Sequence, residues 1–198
     1  MRYSAAIAGV VLGYQWIIDA LFDVRGGWRQ LPAVLVLALV IAHNVKSGDW
    51  GFSRRAFVPA LKWTVILTTP IVLALWVIGH SMGPAPDRAR PWLDFLYLIV
   101  WGGGQQWALQ TVVLREAERV TRRGAFVLAA LIFATLHLPN PFLTTVTAIG
   151  ALSWCWIYAR HPNIVPLAIS HAASTVVILM SFHPSVTGGL RTGAAYFR

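Results

Sequence analysis

Apolar residues run along this chain in seven blocks of about fifteen to twenty-four, separated by short segments that collect prolines, glycines and charges. A hydrocarbon core about 30 Å thick takes roughly 20 mostly apolar residues per helix, so each block is read as a membrane helix. The blocks are residues 4–21, 31–45, 56–78, 91–114, 124–138, 142–158 and 164–182. Asp19, Asp23 and the Gly26–Gly27 pair close the first, and Gly83, Pro84 and Pro86 mark the turn after the third. Pro91 suits a first helical position. Pro139–Asn140–Pro141 separates the fifth from the sixth, His161–Pro162 ends the sixth, and His183–Pro184 stops the last. Pro70 lies inside the third block and predicts a kink. The second block is short for a crossing, and the topology inverts partway if it or the sixth stays on one side. The Gly-rich segment after 184 is expected to be mobile. The pattern implies an all-α fold, a polytopic membrane helix bundle of about seven transmembrane helices (six to eight), in a single integral membrane domain over 1–198.

Composition agrees with the pattern. The chain is 57% hydrophobic and 12% charged, against about 25% charged for a soluble domain. Its ten tryptophans suit repeated meetings with the membrane–water interface. The net charge of +9 sits in short loops rather than on one continuous face, so it points to topology and membrane lipid and sets nucleic acid aside as a partner. Ten lysines and arginines fall on one side: Arg2, Lys46, Arg54, Arg55, Lys62, Arg115, Arg119, Arg122, Arg123 and Arg160. The remaining six are Arg25, Arg29, Arg88, Arg90, Arg191 and Arg198. That asymmetry predicts an N-terminus in the cytoplasm of a bacterial-type inner (plasma) membrane. Arg2 and the apolar stretch 5–12 have the outline of a signal peptide. No A-x-A site follows, and an uncleaved first helix is the better reading. Cys155, the single cysteine, sits in an apolar run and is read as packing.

Polar side chains within the blocks are the candidates for function, since an unpaired polar group in hydrocarbon is costly. Gln15 and Asp19 lie four apart near a helix end and are read as a contact to another helix. Asp94 suits the dipole of a first helical turn. Gln105, Gln106 and Gln110 form an amide cluster, with Gln106 and Gln110 on one face at i, i+4. The glycines at 102–104 leave room for close approach there. His137 and His171 end and begin helical blocks, whereas His43, His80, His161 and His183 sit where interface position accounts for them. The two glutamates, Glu116 and Glu118, are read as loop carboxylates paired with neighbouring arginines.

The order of these elements resembles the CAAX protease and bacteriocin-processing family, the CPBP or Abi intramembrane metalloproteases. That family's pattern is E-E-x-x-x-R, then F-x-x-x-H, then H-x-x-x-N. Gln105-Gln106-Trp107-Ala108-Leu109-Gln110 stands where the first element would be. Phe133-Ala134-Thr135-Leu136-His137 matches the second, and His171 through Thr175 matches the third with Thr in place of Asn. The resemblance implies a protease-like core at about 91–182. It assigns Gln105, Gln106, His137 and His171 to the catalytic positions and Gln110, Phe133 and Thr175 to the surrounding support. His137 and His171 would hold a divalent metal such as zinc. It further implies a metallo-endopeptidase acting on a membrane-associated peptide or protein. The glutamines change that expectation, because an amide cannot take a proton from water as a carboxylate does. The alternative is therefore a catalytically inactive member of the fold that binds a peptide or partner; a small transporter or a haem protein ranks lower. One geometric conflict stands: if the fifth and seventh blocks run parallel, helical rise alone separates His137 and His171 by roughly 10 Å in depth.

Overall fold

The computed structural model describes residues 1–22, 26–84, 88 and 90–198. Asp23, Arg25 and Pro86, which the sequence reading used, lie outside them. The described residues are helical, with one isolated bridge between Phe52 and Asn163. Helix α1 is Arg2–Leu21, α2 is Leu31–Ser47 and α3 is Phe57–Ser81. Helix α4 covers 91–120 without a break, although residues Leu109–Leu114 widen into a π-turn. Ala125–Thr135 is α5, Pro141–Arg160 is α6, Ile164–Ser181 is α7 and Pro184–Thr187 is a short α8.

Among the described residues, five helices are long and apolar enough to cross a membrane: Arg2–Leu21, Trp28–Ser47, Arg54–Ser81, Pro141–Arg160 and Ile164–Ser181. The protein is an integral membrane protein, a bundle whose outer faces carry Leu21, Trp28, Val58, Trp92 and Val100 bare. Such a coat of large apolar side chains belongs in lipid, not water. The second and sixth blocks, on which the topology turned, are thus both long enough. The short one is the fifth. Its 11 residues rise only about 16 Å, less than the hydrocarbon thickness, because Thr121–Gly124 and the turn at 136–140 take up the rest of the block. Helix α4 is absent from the five since its glycines and glutamines lower its hydropathy.

Contacts between loops sort the chain into two ends. At one end, Ser4 meets Glu116, Asp49 meets Arg115 and Tyr158, and Ser53 receives the Asn163 amide. These loops hold most of the ten-residue basic group. At the other end, Arg88 pairs with Asp94 and the Leu179 carbonyl, Gln15 meets Thr192, and Asn140 binds the carbonyls of Thr187 and Arg191. The core lies around the π-turn of α4, where Leu109, Leu114, Ala117, Ala129, Ile157, Tyr158 and Leu167 are buried. Six alanines lie among these buried side chains and let helices approach closely without a hydrophobic drive between them.

Three expectations are corrected. Glu116 pairs with no arginine among the described residues: it is 4% exposed, and its carboxylate accepts the N–H groups of Tyr3 and Ser4 and the Ser4 hydroxyl. Met1 offers no side-chain cap to α1, so Glu116 supplies one from another helix, and a carboxylate at a helix N-terminus also suits the dipole. Glu118 does pair with Arg115, at 3.0 Å. Helix-end position alone does not account for His43, which is 3% exposed, beside Asn44 and edge-on to Tyr3. The segment after 184 is packed rather than loose: its 3-10 turns, Gly188–Leu190 and Gly193–Phe197, lie against α1 and the 138–140 turn.

Candidate functional site

The site is assembled from the middle of α4, the end of α5 and the first half of α7. Helices α4 and α7 pack along each other, and Gly102 is the reason they can do so at this level. A Cβ at residue 102 would lie 3.2 Å from the His171 ring. One turn on, the Gln106 amide nitrogen is 3.3 Å from His171 Nδ1, and Gln110 Nε2 donates to Gln106 Oε1 at 3.0 Å. Both glutamines are wholly buried. The i, i+4 spacing read from the sequence thus becomes a directed chain of amides ending on an imidazole. Gln110 Oε1 has no hydrogen-bond partner in this arrangement.

The other faces of His171 are aromatic. Trp154 stacks on it with centroids 4.7 Å apart and is itself fixed by its indole N–H to Ser170 Oγ at 2.9 Å. Phe133 stands edge-on to His171 at 6.4 Å and to His137 at 4.9 Å, so one ring touches both histidines. The shortened α5 resolves the depth conflict: it ends before a full crossing and delivers Phe133 and His137 to the level of His171. His137 Nδ1 lies 2.8 Å from the Phe133 carbonyl.

Each ring has a tautomer that these partners match. A carbonyl only accepts, so His137 carries its proton on Nδ1 and keeps a lone pair at Nε2. With Gln106 Oε1 accepting from Gln110, its NH2 group faces His171, and the matching tautomer of His171 accepts at Nδ1 and carries its proton on Nε2. The two imidazoles therefore present opposite hydrogen-bonding ends, an acceptor on one and a donor on the other.

The remaining candidates are placed less centrally. Gln105 is half-buried, and its side chain makes no hydrogen bond among the described residues; it does not join the amide chain. Thr175 donates to the His171 carbonyl at 3.0 Å, a contact within its own helix. Trp154 and Ser170 were missed by the sequence reading, although Ser170 directly precedes His171 and a buried indole needs a partner. Neither glutamate reaches the histidines: Glu116 caps α1 and Glu118 holds Arg115.

Zinc in a hydrolase takes three protein ligands and leaves one position for water. Among the described residues no three of His, Cys, Asp and Glu come together. His137 and His171 without a third such ligand do not fit that metal site.

Residues 103–177 match the family model described as Type II CAAX prenyl endopeptidase Rce1-like. The motif order and this match point to one family. The matched stretch holds every residue of the amide–imidazole chain, both histidines and Trp154. No curated protein and no solved structure shows significant similarity to the chain. The protein is thus an integral membrane protein with a central stretch similar to that family, in which Gln105 and Gln106 stand where the family's pattern has glutamates.

Proposed function

We propose that the protein binds the backbone of a membrane-associated peptide at His137 and His171 without hydrolysing it. The observation that carries this reading is the amide chain from Gln110 through Gln106 to His171 Nδ1. It leaves an N–H at His171 Nε2 and a lone pair at His137 Nε2, the complement of a peptide C=O and N–H. Trp154 and Phe133 supply the apolar walls. A water-activating base is missing from the same place, since glutamine does not titrate. The protein works in a bacterial-type plasma membrane with its N-terminus cytoplasmic, on the positive-inside argument. The Ser4–Glu116 contact supports it by setting the start of α1 beside the arginine-rich loop.

The family match favours a second reading, a divergent metallo-endopeptidase in which His137 and His171 hold zinc. One experiment separates the two: labelled single-span peptides are reconstituted with the protein in lipid nanodiscs, and association and cleavage are followed together. The expected result is association without cleavage, weakened in Gln106→Leu and His171→Leu. Cleavage that disappears in His137→Ala and His171→Ala overturns the binding reading and supports the enzyme.

A further inference from the structure

Residues 187–198 run from the turn that carries His137 to the far end of α1. The root of this segment is held firmly. Asn140, with no exposed surface, donates to the carbonyls of Thr187 at 2.8 Å and Arg191 at 3.1 Å, while its Oδ1 caps α6 through Leu143 N. Its tip is held to the end of α1. The Gln15 amide donates to Thr192 Oγ1 at 2.9 Å, Phe197 leans on Trp16, and the Arg198 guanidinium donates to the carbonyls of Asp19 and Ala20.

Gly193 joins the two. Its N–H donates to the Leu138 carbonyl, the residue after His137, at 2.8 Å. Its φ is +58°, and a Cβ there would sit 2.5 Å from Gln15 Cβ and 2.7 Å from the Gln15 carbonyl oxygen. Only glycine fits, because the residue is wedged between α1 and the His137 turn. On the α1 side the contact meets a π-turn, Tyr14–Ile18, where the helix is already widened, and Gln15 Oε1 is buried without a partner there. The contact is close yet incompletely satisfied.

We infer that residues 187–198 form a latch, rooted on Asn140, that ties the end of α1 to the His137 turn, and that its release opens the bundle beside His137 and His171 to a peptide entering from the lipid. The inference rests on the binding reading for what enters. Its test does not, because it reads the opening itself. Carbethoxylation of His137 by diethyl pyrocarbonate, followed by mass spectrometry, measures access to that ring.

Gly193→Val removes the fit and is expected to raise the His137 rate by roughly fivefold, the population change that loss of one ordinary hydrogen bond corresponds to. A second variant holds the latch closed: Gln15→Cys with Thr192→Cys, bridged by a reducible bis-methanethiosulfonate, is expected to lower the rate below that of the parent and recover on reduction. Cys155 is buried and does not compete for the reagent. A bridged variant that modifies at the parent rate before and after reduction overturns the latch. So does a folded Gly193→Val protein with an unchanged rate. If peptide binding fails in nanodiscs while the bridge still controls the His137 rate, the latch stands and the binding reading falls.

Discussion

Helix α4 carries polar groups at two levels a few turns apart, and they have opposite chemistry. In its middle stand Gln106, at a glutamate position of the family pattern, and Gln110, at its arginine position, both neutral and joined to each other and to His171. At its end stand Arg115, Glu116 and Glu118, all charged and all committed. Arg115 reaches Asp49 at 2.7 Å and Glu118 at 3.0 Å, and its guanidinium lies over the Tyr158 ring. Burial alone would make the Arg115 cation easier to deprotonate, but the bonds to Asp49 and Glu118 outweigh it and hold the proton more tightly. The carboxylates at this end of α4 are where they hold helices together, and the middle of the bundle keeps the groups that read hydrogen bonds. A charge at the membrane-surface end has partners and water nearby; a charge in the middle needs a metal or an ion partner to be tolerated.

The difference predicts a ranking of substitutions. Glu116→Ala should have the largest effect on stability, about 3 kcal/mol, because it orphans the first N–H groups of α1 together with the Ser4 hydroxyl. Denaturant titration in detergent measures it. Burial raises the Glu116 pKa, but the hydrogen bonds from Ser4 and Tyr3 prevail and set it below the ordinary value of 4.5. A depressed folded pKa means stability that is present above about 4.5 and lost as pH falls through the folded value. The parent should therefore lose stability in that acid window, and Glu116→Gln should flatten the loss. An acid profile identical in the two proteins would show that Glu116 does not act as the cap.

Asp49→Asn comes next, at about 1–2 kcal/mol, since it weakens the Arg115 pair and the Tyr158 contact while leaving the connector in place. The smallest stability effect belongs to the middle of the helix. Gln110→Leu should change stability by less than about 1 kcal/mol, because contacts of this kind average about 0.6 kcal/mol in a membrane and one of its amide atoms is unpartnered already. The same substitution should still weaken peptide association, as Gln106 loses the donor that orients it. If Gln110→Leu destabilises the protein as much as Glu116→Ala, the two levels of α4 do not differ as described.

Much of this arrangement was legible in the chain. Each of the seven apolar blocks became a helix, because block length against bilayer thickness is a strong constraint, and the same arithmetic misjudged the fifth. Its apolar letters continue through Leu136 and Leu138, which lie in the turn that lets His137 meet Phe133. The i, i+4 pairing of Gln106 and Gln110 followed from helical period, while Gln105, one residue away, points off that face. Contacts far apart in sequence were not legible. Glu116 sits among four arginines, and nothing in that run announces a bond to Ser4, 112 residues away. Likewise three glycines near the end read as looseness, when Gly193 is glycine because α1 and the His137 turn leave no room for more.

The central claim concerns one proton. In protein labelled with nitrogen-15 histidine, the imidazole shifts of His137 and His171 report which ring nitrogen is protonated. The account predicts a proton on Nε2 of His171 and on Nδ1 of His137, with His171 inverting in Gln106→Glu, whose carboxylate accepts from Nδ1. Protons on Nδ1 of both rings in the parent protein, leaving two Nε2 lone pairs facing the site, would contradict it and restore the geometry of a metal-binding pair.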